Sequence, residues 1–281
     1  MPTGDGDDLP LLPALADRGI EASMVAWDEP GVDWSAFDLT VIRATWNYTS
    51  RREEFLDWVA SVPRLHNPAA VVLPNTDKAY LGALAEAGLP VVPTQLVPPG
   101  TEPKLPEYGE FVLKPSVGAG SRGVGRFDAS LPDAHQQARE HAQRLHAAGR
   151  TVLVQPYLDA VDTAGETALI FFDGTFSHAI RKGAMLEPDA RHRIDGEALY
   201  LEERISARLP SAAELAVAER VFAHANAELA ENLLYARIDL LPTPEGPVVV
   251  ELELVEPSLF LGFADGAADR LADAISARLR R

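Results

Sequence analysis

The 281-residue chain contains no cysteine. This excludes disulfides, cysteine nucleophiles and thiolate metal sites, and it fits a reducing cytoplasm, the expected location. Long apolar runs are missing too: none approaches the roughly 18 to 20 residues that span a bilayer, so no membrane partner is expected. Met1 to Pro10 is acidic and glycine-rich, with neither the basic start nor the apolar run of a secretory signal. Positive charge is scarce. There are 25 Lys and Arg against 42 Asp and Glu, a net charge of −17. A field of that sign repels phosphate backbones, which argues against nucleic acid as a partner. A phosphate ligand must then be held by a local cluster of cations and backbone amides. What the chain does have is bulk: 47% hydrophobic residues and enough length for one large or two to three smaller domains. Self-association stays open.

Alternating strand and helix patterns predict a mixed α/β (α+β) protein with antiparallel hairpins. Residues 9–18 read as a short helix, 22–27 and 39–43 as strands, 52–61 and 77–87 as helices, and 91–97 as a strand before the proline-rich loop 98–106. Strands follow at 111–114 and 124–127, flanking a glycine loop. A helix is expected at 135–148 and strands at 151–157, 168–172 and 177–182, with Asp173-Gly174 as a hairpin turn. Ser211 and Glu214 form a capping box that opens a helix over 211–232. Strands at 235–241 and 248–254 and a helix at 265–281 close the chain.

Three constellations could carry chemistry. Gly118-Ala119-Gly120-Ser121-Arg122-Gly123-Val124-Gly125 lets backbone amides approach phosphate oxygens closely. It matches the dinucleotide fingerprint G-x-G-x-x-G, but that reading needs a helix after the loop, and an extended segment follows instead. A hairpin with a flexible tip fits better, an ordinary glycine turn being the plain alternative. Lys114 just before the loop and Lys78 after Asn75-Thr76-Asp77 are candidate phosphate ligands beside it. The second constellation is Asp239 on one strand with Glu251 and Glu253 on the next. Residues two apart on a strand face the same side, and like charges there need a compensating cation. Oxygen-only donors favour magnesium or manganese. The third, Val154 to Leu158 followed by Gly165-Glu166, is an apolar strand ending in a polar break. The seven histidines, His66, His135, His141, His146, His178, His192 and His224, show no metal spacing and read as structural or surface residues.

Taken in this order, the elements resemble the ATP-grasp superfamily, which includes D-alanine–D-alanine ligase, glutathione synthetase and the RimK-type ligases. The resemblance covers about residues 75–261. It implies an N-terminal α/β domain over 1–74, apparently without its first strand, which raises either a misassigned start or a lost strand. It further implies two α+β subdomains, a lid over 75–157 and a metal-bearing unit over 158–281, sandwiching ATP. Lys78, Lys114, Gly118, Gly120, Ser121 and Gly123 would hold phosphates, the hinge Gln155-Pro156-Tyr157 would read adenine, and Glu166 would hold the ribose. Asp239, Glu251 and Glu253 would bind two magnesium ions, with Glu253 standing where the family has Asn. Arg237, Lys182 and Arg181 would form the catalytic set. Arg43 to Tyr48, Asn75 to Lys78 and Glu251 to Phe260 are similar to the subfamily around O-ureido-D-serine cyclo-ligase, of antibiotic biosynthesis. This implies a small amino-acid-like substrate near Arg43, Trp46, Arg193 and Ser258, and a carboxylate–amine ligation through an acyl phosphate. An intermolecular ligase of RimK or glutathione synthetase type is the alternative. A dinucleotide oxidoreductase and a catalytically silent nucleotide-binding module are the readings from other classes.

Overall fold

A computed structural model describes residues 6–120, 122–183 and 204–280. Its short first helix α1 (Leu11–Ala16) precedes a two-stranded parallel sheet of β1 (Thr40–Val41) and β2 (Leu65–His66), joined through α2 (Arg52–Ser61). Phe55 and Val59 of α2 are fully buried against Trp27, Tyr48 and Val72, an aromatic-rich core. The strand expected at 22–27 is absent. Trp27 is held instead by its side chain, edge-on to Phe55 with ring centroids 5.4 Å apart and with its Nε1 donating to Asn47 Oδ1 at 2.9 Å. Helix α3 (Ala69–Asn75) escapes the sequence patterns because Pro74 lies inside it, and the helix expected at 77–87 is regular only as α4 (Tyr80–Glu86).

The next stretch builds a four-stranded antiparallel sheet in the order β3-β6-β4-β5. Its strands are β3 (Gln95–Val97), β4 (Glu110–Pro115), β5 (Gly125–Asp128) and β6 (Val152–Pro156), and α5 (Ala134–Ala147) covers one face through Ala138, Ala142 and Leu145. The glycine loop joins two antiparallel neighbours, β4 and β5, as the hairpin reading requires; no helix follows it, so the dinucleotide reading has no support here.

After the short helix α6 (Ala160–Thr163) comes the largest sheet. It contains β7 (Glu166–Phe172), β8 (Thr175–Lys182), β9 (Ile205–Arg208), β10 (Tyr235–Thr243) and β11 (Gly246–Glu253), ordered β11-β10-β7-β8-β9. Helix α7 (Ala212–Asn226) starts at the predicted capping box, with Ser211 Oγ accepting from the Glu214 amide at 3.2 Å and Glu214 Oε2 accepting from the Ser211 amide at 2.7 Å. It ends earlier than expected because Asn226 Oδ1 turns back to accept from the Leu233 amide at 2.8 Å. One sheet face packs on α1 and the closing helix α8 (Ala267–Leu279); the other packs on α4 and α7. Both faces are therefore dry around β7 and β10, which explains their near-continuous apolar runs. Among the described residues no helix is long and apolar enough to cross a membrane.

Candidate functional site

Register alone assembles the charged centre. β10 pairs β11 so that Asp239 lies opposite Glu251 and Arg237 opposite Glu253. β7 pairs β8 so that Glu166 lies opposite Lys182. Side chains two apart share a face, so these six project together from one end of the sheet. Asp239, Glu251 and Glu253 each offer a carboxylate oxygen within 4.8 Å of the others. An oxygen-only triad of this kind suits a hard divalent cation such as magnesium.

Each carboxylate already has a cation. Lys182 Nζ lies 2.9 Å from Asp239 Oδ2 and 3.0 Å from Glu166 Oε2. Arg237 straddles Asp239, donating from Nε at 2.9 Å and from a terminal nitrogen at 3.0 Å, and also contacts Glu253. Lys78 Nζ lies 3.0 Å from Glu251 Oε1 and donates to the Gly118 carbonyl at 2.7 Å, tying the glycine loop to the carboxylates. Asn75 explains why its motif precedes Lys78: its amide mimics a strand neighbour of β11, donating to the Leu252 carbonyl at 2.9 Å and accepting from the Leu254 amide at 2.8 Å.

The electrostatics follow from this pairing. Burial raises the Glu251 carboxyl, but Lys78, Lys114, Lys182 and Arg237 outweigh it and hold the group at about 2. Burial also raises Asp239, and Arg237 and Lys182 bring it below its ordinary value. Glu253 goes the other way: burial, with repulsion from Glu251 and Asp239, pushes it up to about 7 although Arg237 pulls against that. Glu256, just beyond β11, is pushed up to about 8 by burial and by Glu253. Lys114, on β4, is lowered by burial together with the charges of Lys78 and Lys182.

The remaining expected residues fall into three groups. Gly118, Gly120 and Gly123 lie in the β4–β5 connection, Gly120 and Gly123 with positive φ of 62° and 73°. Gln155, Pro156 and Tyr157 end β6, where the Tyr157 amide donates to the Glu110 carbonyl at 2.8 Å and Arg126 stacks 3.6 Å above the Tyr157 ring. Trp46 opens a turn over Trp46–Ser50, and Ser258 presents its carbonyl to Arg237 at 3.2 Å. Ser121 and Arg193 lie outside the described residues.

Two of the expected site residues are engaged elsewhere. Arg181 neighbours Lys182 on β8 and so faces away from it; its guanidinium donates to the Ala164 carbonyl at 2.6 Å and the Thr163 carbonyl at 3.0 Å, closing α6 onto the sheet. Arg43 is only 7% exposed and spends its nitrogens on Asp8 at 2.7 Å, Asp7 at 3.1 Å and the Pro257 carbonyl at 2.7 Å. It braces the chain rather than presenting a free guanidinium. Asp7 and Asp8 were not singled out by the sequence patterns. Asp7 also accepts from the Leu259 and Leu261 amides, both at 2.6 Å, fastening the acidic N-terminal segment beneath the site.

Comparison with known proteins places the chain among relatives. Residues 1–67 match a family model described as the N-terminal domain of D-cycloserine synthetase DcsG. The chain is 40% identical to the cycloserine biosynthesis protein DcsG of Streptomyces lavendulae over 98% of this chain and 95% of that protein. A crystal structure of D-cycloserine synthetase DcsG superposes with a TM-score of 0.85 at 39% identity, covering 96% of this chain and 93% of the other. A RimK-domain ATP-grasp protein from Sphaerobacter thermophilus superposes with a TM-score of 0.63 at 20% identity, over 96% of this chain and 95% of the other, which bears on fold alone. The fold is that of the ATP-grasp proteins, as the sequence implied.

Proposed function

The chain belongs to the family of the cycloserine biosynthesis protein DcsG and is an ATP-grasp ligase that forms a C–N bond; from that premise we propose that it closes a small amino-acid-like substrate, of the O-ureido-D-serine type, into a ring. The observation that carries the reading is the three-carboxylate cluster with Lys78, Lys182 and Arg237 on its members.

ATP would lie between the four-stranded and five-stranded sheets, with its phosphates toward Lys78, Lys114, Lys182 and the glycine loop. Asp239, Glu251 and Glu253 would hold magnesium, which when bound neutralises charge on the phosphates. With those carboxylates engaged by a metal, Lys78 and Lys182 would be free to face phosphate oxygens. A substrate carboxylate oxygen then attacks the γ-phosphorus and ADP leaves, giving an acyl phosphate. A nitrogen of the same molecule attacks the acyl carbon, loses a proton, and expels inorganic phosphate. Arg237 would stabilise the oxyanion between those events, a role whose loss typically costs about 3 to 4 kcal/mol of barrier.

The test is an ADP-release assay with magnesium, offering O-ureido-D-serine alongside D- and L-amino acids. ADP release above background with the ureido substrate, and conversion of that substrate to a cyclic product, is the expected result. In parallel, ATP with magnesium should raise the melting temperature by mass action, whereas NAD should not. A larger shift with NAD than with ATP would sink the reading.

A further inference from the structure

Every acid of the cluster has a cation in contact, but a fourth acid beside it has none among the described residues. Asp239 has Lys182 and Arg237, Glu251 has Lys78, and Glu253 has Arg237. Glu256 lies three residues past Glu253, is 8% exposed, and has no ion pair among the described residues. The hydroxyl of Tyr48, itself buried, hydrogen-bonds to it. A buried carboxylate without a counter-charge is costly to keep unless something brings the charge when it binds.

The backbone that carries Glu256 is held from both sides. The Val255 carbonyl accepts from the Tyr235 hydroxyl at 2.7 Å, the Pro257 carbonyl from Arg43 at 2.7 Å, and the Ser258 carbonyl from Arg237 at 3.2 Å. The acid is thus positioned by one guanidinium from the N-terminal region and one from the catalytic cluster. The turn that supplies Tyr48 also carries Thr45, whose Oγ1 is buried without a hydrogen-bond partner. One turn thus carries both the hydroxyl that reaches Glu256 and an unpartnered buried hydroxyl, and what the acid lacks is a positive charge in contact.

We propose that Glu256 recognises the ammonium group of the substrate and so sets a preference for amino acids over the corresponding deamino acids. The inference rests on the proposed function. In an α-amino acid the carboxylate and the ammonium are attached to the same carbon. With the carboxylate placed at the phosphates and the metal carboxylates, the ammonium, two bonds from the carboxyl carbon, must lie close beside them. Glu256 is the acid in that neighbourhood that neither the cluster's own cations nor the proposed metal role occupies. Its task is specificity, so its loss acts on substrate KM more than on kcat.

The experiment compares O-ureido-D-serine with its deamino analogue, 3-(ureidooxy)propanoic acid, in the wild-type protein and in Glu256→Gln. Both compounds keep the carboxylate and the ring-closing nitrogen. The wild type should prefer the ammonium-bearing compound, and in Glu256→Gln that preference in kcat/KM should shrink by roughly ten- to a hundredfold, chiefly through KM. The KM for ATP and the melting shift given by ATP with magnesium should stay within about twofold of wild type, which shows that the variant is folded and its nucleotide site intact. An unchanged preference, or a loss confined to kcat, overturns the inference while leaving the ligase reading standing. Failure of the wild-type protein to turn over either compound overturns that reading of the substrate, and this inference with it. Tyr48→Phe provides a second variant: it should weaken the same preference by a smaller factor, and equal weakening toward both compounds would mean that the pair is merely structural.

Discussion

The two sheets that face each other across the site differ in how their charges are settled. On the five-stranded sheet Asp239 and Glu251 are held below their ordinary values by Lys182, Arg237 and Lys78, and Glu253, itself pushed up, shares Arg237. On the four-stranded sheet Lys114 has neither an ion pair nor a side-chain hydrogen bond among the described residues, and the loop beside it is rich in glycine. One sheet is preassembled and internally compensated; the other waits for its partner. The difference teaches that in this protein uncompensated buried charge, on Lys114 and on Glu256, marks where a ligand is expected, and compensated charge marks the part that must hold its shape.

Breaking the compensated side should have the largest effect. Asp239→Asn removes a fully buried carboxylate from between Lys182 and Arg237. Leaving two buried cations short of a partner should cost about 3–5 kcal/mol of stability, and turnover should fall by more than about a thousandfold as a metal carboxylate and the Arg237 brace are lost together. Denaturant unfolding and ADP release at saturating magnesium measure the two losses. Turnover near wild type would show that the cluster does not bind the metal.

Lys114→Met should separate the two sheets. Burial lowers the Lys114 ammonium more than Glu251 and Glu166 raise it, so the substitution should leave stability unchanged or slightly raised. The KM for ATP should nevertheless rise by roughly ten- to a hundredfold, since a charged phosphate contact disappears. A loss of stability as large as that of Asp239→Asn would erase the contrast between the sheets.

How much of this was legible beforehand depends on distance along the chain. The face shared by Glu251 and Glu253 follows from strand alternation, and the capping box at Ser211 and Glu214 is a local pattern; both appear as expected. Alternation is also enough to separate Arg181 from Lys182, since neighbours on a strand point apart, a constraint the resemblance does not carry. Arg43 was beyond reach for another reason. Its partners lie 35 and 36 residues earlier, in the acidic, glycine-rich N-terminal segment, and no local periodicity encodes a pairing over that separation. Helix α4 shows the same limit: it falls within the span expected for the lid, yet Leu81 and Leu84 pack into the core of the five-stranded sheet.

Glu256 gives a pH-dependent test of the cost of an uncompensated charge. In the folded chain its carboxyl is pushed up to about 8, chiefly by burial and then by Glu253, from an ordinary value of 4.5. Between those values the folded state holds a proton that the unfolded chain has released, so this group lowers stability as pH rises through the window. Glu256→Gln removes the titration. Without ligand, the variant should match wild type at pH 5 and exceed it by about 1–3 kcal/mol at pH 8.5. Chemical denaturation at the two pH values measures this, and an equal difference at both would mean that the carboxyl carries no such penalty.

The smallest effect is expected at the tip of the glycine loop, where the two sheets' difference is least a matter of charge. Gly120 has a φ of 62°, and a Cβ built there meets nothing within 4 Å. Gly123 has a φ of 73°, but its Cβ would touch Pro115 and Leu145 at 3.4 Å, so that glycine already belongs to the packed part of the hairpin. Alanine at either position incurs the left-handed backbone strain of about 1–2 kcal/mol. Only at position 120 does the added methyl enter open space that a phosphate would fill. Gly120→Ala should therefore lose about as much stability as Gly123→Ala while raising the KM for ATP several-fold more. Thermal melts and ATP titrations of the pair decide it: if both variants lose nucleotide affinity only in proportion to stability, the tip is an ordinary turn and the phosphates are held elsewhere.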